Sequence, residues 1–244
     1  MFNWNSESIR WFEEAAEHTR FYKDIINLTK NYIRECDTVL DIGCGTGRLS
    51  IELSKIVKQV YAIDISEEVI NYLNEKYKKN NINNLYTFIG DWRNLNIDIE
   101  KFDAIFMCYM GCIYEELEKL MSMTKRFLIM ILPEDNKTNT FCLNNFIPEF
   151  KKEIKDTAKE YISFLLKQKI EFIAIDHECE FGQPFTNQQE LKKFIYYYYG
   201  GDVWKLVENN VDKILIKKES GYYLPNIRKS KIIIIKNREE EKWG

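Results

Sequence analysis

The chain lacks an excess of charge of either sign. Its 244 residues carry 35 Lys and Arg against 38 Asp and Glu, a formal net charge of −3. The lysines are spread along the chain, so no basic footprint for nucleic acid exists. Long apolar runs are missing too: none approaches the ~18 residues needed to span a bilayer. Met1 to Arg20 is polar and aromatic, without the apolar core of a secretory leader. The six cysteines (Cys36, Cys44, Cys108, Cys112, Cys142 and Cys179) form no C-x-x-C pair and no repeated spacing. That argues against a zinc site or a disulfide framework. Internal repeats and long linkers are absent as well. A soluble, cytoplasmic protein remains, monomeric or homodimeric, with no membrane partner, no nucleic acid and no metal.

What is present is a core. Apolar residues make up 45% and aromatics 14%, enough to exclude disorder, and the length fits one domain with an appendage. From Val39 to Pro133, strand-like runs alternate with helical periods, the pattern of a doubly wound sheet. Strands are predicted at 38–42, 59–63, 85–89, 103–108 and 126–132, with helices at about 47–56, 66–78 and 114–123. Ser66 stands as cap of the second helix, with Glu67 and Glu68 near its positive end. Residues 1–35 read as helical, capped by Ser6 or Ser8, with apolar positions at spacings of three and four. Residues 134–148 read as irregular, and a lysine-rich amphipathic helix carrying Tyr161, Ile162 and Leu165 follows. Further strands are expected at 170–176 and 231–236; the run Ile232–Ile235 requires burial on both faces. Between them, 177–230 reads as an insertion that includes a helix at 188–199.

The most informative stretch is Val39-Leu40-Asp41-Ile42-Gly43-Cys44-Gly45-Thr46-Gly47-Arg48-Leu49. A short strand ends in an acid, and three glycines at alternate positions make a tight turn into a helix. Glycine permits positive φ and removes Cβ atoms that would hold a ligand off the backbone. The dinucleotide fingerprint G-x-G-x-x-G differs in spacing, and Asp41 would repel a pyrophosphate. The stretch resembles motif I of the class I S-adenosylmethionine (SAM) dependent methyltransferases. The resemblance implies an α/β/α fold with a mostly parallel seven-stranded sheet, its seventh strand antiparallel and helices on both faces. It also implies SAM as cofactor, S-adenosylhomocysteine as product and an N-terminal segment folded as a lid over the methionine end.

Spacing behind the turn extends the resemblance. Tyr61-Ala62-Ile63-Asp64 places an acid at the end of the second strand, where the resemblance assigns it the ribose hydroxyls, with Ile65 against the adenine. Ile89-Gly90-Asp91-Trp92 matches the family's adenine-binding acid and the backbone N–H after it. Together Asp41, Gly43, Cys44, Gly45, Gly47, Asp64, Ile65, Asp91, Trp92 and Cys108 are the expected cofactor contacts. After the fourth strand comes Cys108-Tyr109-Met110-Gly111. Nucleobase amino-methylating enzymes carry (N/D)-P-P-(Y/F) there and cytosine C5 enzymes a Pro-Cys pair, so a small-molecule acceptor is the expectation. A protein or RNA acceptor, a non-catalytic SAM-binding sensor or partner subunit, and a nucleotide-dependent oxidoreductase are the rival readings. Candidates to touch the acceptor or act as base are His18, Tyr22 and Tyr109, with His177 at the end of the sixth strand. Cys44, Cys108 and Cys112 all follow predicted strands, which leaves a thiol or metalloid role open beside plain apolar filling.

Overall fold

The computed structural model describes residues 4–95, 97, 99–111, 114–134, 157–210, 213 and 215–237. Its first half runs α1 (Ser6–Glu17), α2 (Phe21–Thr29), β1 (Thr38–Ile42), α3 (Arg48–Ser54), β2 (Gln59–Asp64), α4 (Glu67–Lys79), β3 (Leu85–Ile89), β4 (Phe102–Cys108), α5 (Leu117–Ser122) and β5 (Thr124–Pro133). The second half runs α6 (Thr157–Lys167), β6 (Ile173–Glu180), β7 (Gln183–Phe185), α7 (Gln188–Tyr199), α8 (Gly201–Glu208), β8 (Ile216–Lys218), β9 (Gly221–Leu224) and β10 (Ile227–Lys236).

Seven strands form one sheet in the order β3-β2-β1-β4-β5-β10-β6. The first five are parallel. β10 runs antiparallel between β5 and β6. The strand order reverses beside β1, so the carboxyl ends of β1, β2 and β4 open onto a crevice of the kind where doubly wound sheets bind ligands. Because β10 runs the other way, its first residues also reach that edge.

Alternating side chains divide the core between the faces. Val39, Ala104, Phe106, Ile232 and Ile234 pack with Phe21 and Ile25 of α2, Leu49 and Leu53 of α3 and Leu73 of α4. Leu40, Ile42, Ile105, Met107, Ile233 and Ile235 pack with Leu117 and Leu120 of α5 and Tyr161 and Leu165 of α6 on the other side. The four isoleucines of β10 are at most 2% exposed, so the sheet is covered on both faces, in the expected three layers.

Local departures have local causes. Asn5, not Ser6 or Ser8, caps α1: its side chain accepts from Ser8 N–H at 2.9 Å while Ser8 Oγ accepts from Asn5 N–H at 2.9 Å, a capping box. Ser66 holds the cap position of α4, but its hydroxyl turns to Glu68 and makes no cap hydrogen bond. β6 begins at Ile173, three residues after the expected start, and runs on to Glu180, and β10 begins at Ile227, before the expected 231, because these outer residues pair through the backbone with mixed side chains. The expected irregular stretch beyond Glu134 and the first part of the helix after Pro148 lie outside the described residues.

The segment between β6 and β10 is a folded unit. β7, β9 and β8 make a small antiparallel sheet, and α7 and α8 pack beside it around Phe194, Ile195, Trp204 and Val207. Trp11 of α1 enters the same cluster, 1% exposed. Arg10 fixes that joint with a 2.6 Å bond to Glu190 of α7. The roof of the crevice thus comes from two segments far apart in sequence.

Candidate active site

The glycine turn closes on itself through the backbone. Gly43 and Cys44 N–H donate to Ile63 O at 2.8 and 3.1 Å, and Gly47 N–H donates to Cys44 O at 2.9 Å. Gly43, Gly45 and Gly47 all hold positive φ, at 69°, 53° and 75°. The three glycines serve different neighbours. A Cβ on Gly43 would lie 2.8 Å from Met110 Cγ, and one on Gly45 3.6 Å from Trp4 of the N-terminal segment. At Gly47 a Cβ would fall 2.3 Å from Leu73 Cδ1. Gly47 therefore leaves room for Leu73 of α4, and it is not among the residues that line the cavity.

Over the turn lies a cavity of about 870 Å³, within the usual range for small-molecule sites. One half is acidic, lined by Asp41, Asp64 and Asp91. Asp41 is 1% exposed; Ser50 Oγ donates to its Oδ2 at 2.5 Å, while Oδ1 is buried with no partner. Burial pushes its carboxyl up to about 7, against the opposing Ser50 bond and helped by the negative charge of Asp64. Asp64 is held in place by Gly45 N–H on Oδ2 and Ser66 N–H on Oδ1, both at 2.9 Å. Asp91 caps the short 3-10 turn Trp92–Asn94, accepting from Arg93 N–H, and Arg93 Nε bonds both of its oxygens at 2.9 and 3.0 Å. That pairing holds its carboxyl below the usual range. Ile65 is 51% exposed beside it, and Trp92 lies on the wall with its ring buried at 4%.

The other half is aromatic, walled by Phe12, Phe21, Tyr22, Tyr109, Phe181 and Tyr198. Cys44 and Cys108 face the cavity between the halves, and burial pushes both thiols up. Tyr109 adopts a left-handed φ of 57°, uncommon for a bulky residue, and its hydroxyl shares a 2.9 Å hydrogen bond with Ser230. Burial raises its phenol to about 12 and raises Tyr22 further. Both tyrosines line the cavity, and burial disfavours the ionised form of each.

His18 is not brought there. It is the exposed C-cap residue of α1 and does not line the cavity. His177 lies inside β6, not at its end, and is also absent from the wall. Its Nε2 stands 3.8 Å from Asp24 Oδ2, too far for a hydrogen bond, and burial lowers its pKa. Cys112 lies outside the described residues.

Two features went unseen in the sequence. Glu13 of α1, 7% exposed, binds Arg48 at the start of α3, Tyr72 at 2.9 Å and Lys76 of α4. It clamps the N-terminal helix to the glycine turn. Arg228 of β10 comes to the aromatic half of the cavity, 8% exposed.

The donor set fits an adenosyl amino acid. The orphaned Asp41 Oδ1 suits a cationic amino group, Asp64 retains acceptor capacity for vicinal hydroxyls, and Gly45 adds no side chain of its own beneath Trp4. Residues 39–129 match a methyltransferase domain family. The chain belongs to the class I SAM-dependent methyltransferases.

Its relatives include a probable cobalt-precorrin-6B C(15)-methyltransferase (decarboxylating) of Methanococcus vannielii, 31% identical over 140 residues, 53% of this chain and 73% of that protein. The Methanococcus maripaludis protein of the same name is 35% identical over 122 residues, 50% of this chain and 62% of that one. A ribosomal protein L11 methyltransferase of Thermotoga petrophila is 34% identical over 106 residues, 42% of this chain and 39% of that one. The chain thus spans less than two thirds of the length of several curated relatives. Among solved structures, precorrin 8w decarboxylase of Methanobacterium thermoautotrophicum superposes with a TM-score of 0.54 at 16% identity, covering 88% of this chain and 89% of that one. Magnesium protoporphyrin IX methyltransferase of Synechocystis, with bound S-adenosylhomocysteine, gives 0.51 at 15% identity, covering 95% and 89%. At those identities the structures share the fold.

Proposed function

We propose that this protein is a SAM-dependent methyltransferase acting on a small-molecule acceptor. The observation that carries the reading is the two-part cavity, a carboxylate-lined half at the glycine turn continuous with an aromatic half under α1 and the insertion. When bound, the cofactor supplies a methyl group already activated on a sulfonium. Asp41 receives its amino group, Asp64 its ribose hydroxyls, and Asp91 with Trp92 its adenine.

The protein's contribution is then positioning. Holding an acceptor in line with the S–CH₃ bond supplies on the order of 7–11 kcal/mol. Phe12, Phe21 and Phe181 exclude water, and Tyr22 and Tyr109 orient polar groups by hydrogen bonding. Positive charge vanishes from sulfur as the methyl moves, so an anion against it would favour the ground state. Asp41 is therefore assigned to the amino group.

A roofed cavity favours a metabolite over a macromolecule, and the precorrin-directed names of several relatives agree with that choice. The name of the L11 enzyme keeps a protein acceptor as the contrast to test. Incubation with methyl-labelled SAM and either a protein-free metabolite extract or the extracted proteins distinguishes them. Label is expected in a low-molecular-weight product. Label only in polypeptide would overturn the acceptor assignment, and no transfer to any fraction would favour a passive SAM-binding protein.

A further inference from the structure

Arg228 is a buried cation with no anionic partner among the described residues. Its guanidinium carbon lies 3.4 Å from the centroid of Phe181, 5.3 Å from Tyr109 and 5.5 Å from Phe21. Nε is buried with no hydrogen-bond partner. Among the described residues no carboxylate forms an ion pair with it, although the protein pairs Arg48, Arg93 and Arg126 with acids. Aromatic faces offset part of the cost of burying such a charge, but they accept few of its five N–H donors. The residue faces the cavity.

Position explains how it gets there. Along β10, Arg228, Ser230, Ile232 and Ile234 share one face. The last two pack in the α2-side core, and Ser230 bonds Tyr109. Arg228 therefore stands at the carboxyl edge of the sheet, in the aromatic half, apart from the three acids that line the cofactor half.

We propose that Arg228 anchors the methyl acceptor by pairing with a carboxylate, so that the acceptor is a small organic acid with an aromatic or apolar body. The proposal rests on the methyltransferase reading above and specifies its acceptor. A monoanionic carboxylate matches the planar guanidinium fork and its single charge. A phosphate dianion would remain half-neutralised in an aromatic enclosure. The arrangement also separates the ligands by charge: the cationic amino group goes to the acids, the acceptor's anion to Arg228.

The test uses the 244-residue protein saturated with S-adenosylhomocysteine. Saturation is checked first by calorimetry, so failure of the cofactor reading is seen separately. Benzoate, phenylacetate and 3-phenylpropionate are then titrated against their neutral amides and phenyl phosphate. At least one carboxylate is expected to bind about tenfold or more tighter than its amide. That preference is expected to vanish in Arg228→Met, whose S-adenosylhomocysteine affinity stays within about threefold of the parent. Should R228M fail to fold, Arg228→Lys carries the test: a several-fold weaker carboxylate preference supports the proposal, and an unchanged one overturns it. No carboxylate binding up to about 10 mM, equal binding of acid and amide, tighter binding of phenyl phosphate, or undiminished preference in R228M would each overturn it.

Discussion

Ser50 Oγ donates to one oxygen of Asp41 at 2.5 Å, while the other oxygen, Oδ1, is buried without a partner. Ser50 of α3 thus holds the carboxylate from one side, and Asp41 is one of the residues that line the cavity. Its burial raises the carboxyl to about 7 from an ordinary 3.8. The folded protein therefore holds this proton more tightly than the unfolded chain does. Its contribution to stability is full below the unfolded pKa near 4 and is lost as pH rises through 7. A ligand ammonium favours the ionised form. Affinity for S-adenosylhomocysteine is accordingly expected to weaken as pH falls below about 7. Asp41→Asn should raise the ligand-free Tm at pH 8 while weakening that affinity about tenfold or more. Thermal melts and calorimetry across pH 5.5–8.5 check both signs.

Gly47 answers to Leu73. Alanine there combines a left-handed φ of 75° with a Cβ 2.3 Å from Leu73 Cδ1. Gly47→Ala should cost roughly 3 kcal/mol in denaturant unfolding, from left-handed strain and overpacking together. Leu73→Ala in that background should recover part of the overlap term. S-adenosylhomocysteine affinity at a temperature where the variant is folded should stay within about threefold. Lost affinity without lost stability would return Gly47 to the cofactor.

Glu13 ties α1 to α3 and α4. Burial alone would raise its carboxyl, yet hydrogen bonds from Arg48 and Lys76 outweigh burial and hold it below the usual 4.5. Its contribution is present above that value and lost as pH falls through the depressed one. Glu13→Gln is expected to lose roughly 3 kcal/mol at pH 7, since two cations lose their shared anion. The difference from the parent should shrink toward pH 3, as urea titrations at the two pH values will show.

His18 sits outside the cavity at an exposed helix end. His18→Ala should change unfolding free energy by less than about 0.5 kcal/mol and leave methyl transfer intact. A large loss of kcat in this variant would mean that α1 rearranges when ligands bind.

Sequence periodicity revealed the sheet well because β1, β4 and β5 are largely buried runs, and β1 runs into a glycine while β2 and β5 end at an acid and a proline. Asp41, Asp64 and Asp91 were legible for the same reason: each lies at or just beyond the carboxyl end of a strand, within two residues of its last position, where chain direction puts it on the ligand edge. Arg228 was hidden by its neighbours. In Ile227-Arg228-Lys229-Ser230-Lys231 it reads as one member of a solvated charge run, and only the strand's two-residue alternation turns it inward. Glu13 was hidden likewise among Glu14 and Glu17, since its partners lie 35 and 63 residues away. His18 suits a base by residue type alone, but it caps the C-terminus of α1 and does not line the cavity.

The glycine turn and its acids are proposed to receive an adenosyl amino acid. Calorimetric titration of the 244-residue protein at pH 8 with S-adenosylhomocysteine and, separately, with NAD measures this directly. One-to-one binding of S-adenosylhomocysteine, weakened about tenfold or more by Asp64→Asn, with no heat from NAD, is the predicted result. Silence with S-adenosylhomocysteine, or tight binding of NAD alone, would contradict it.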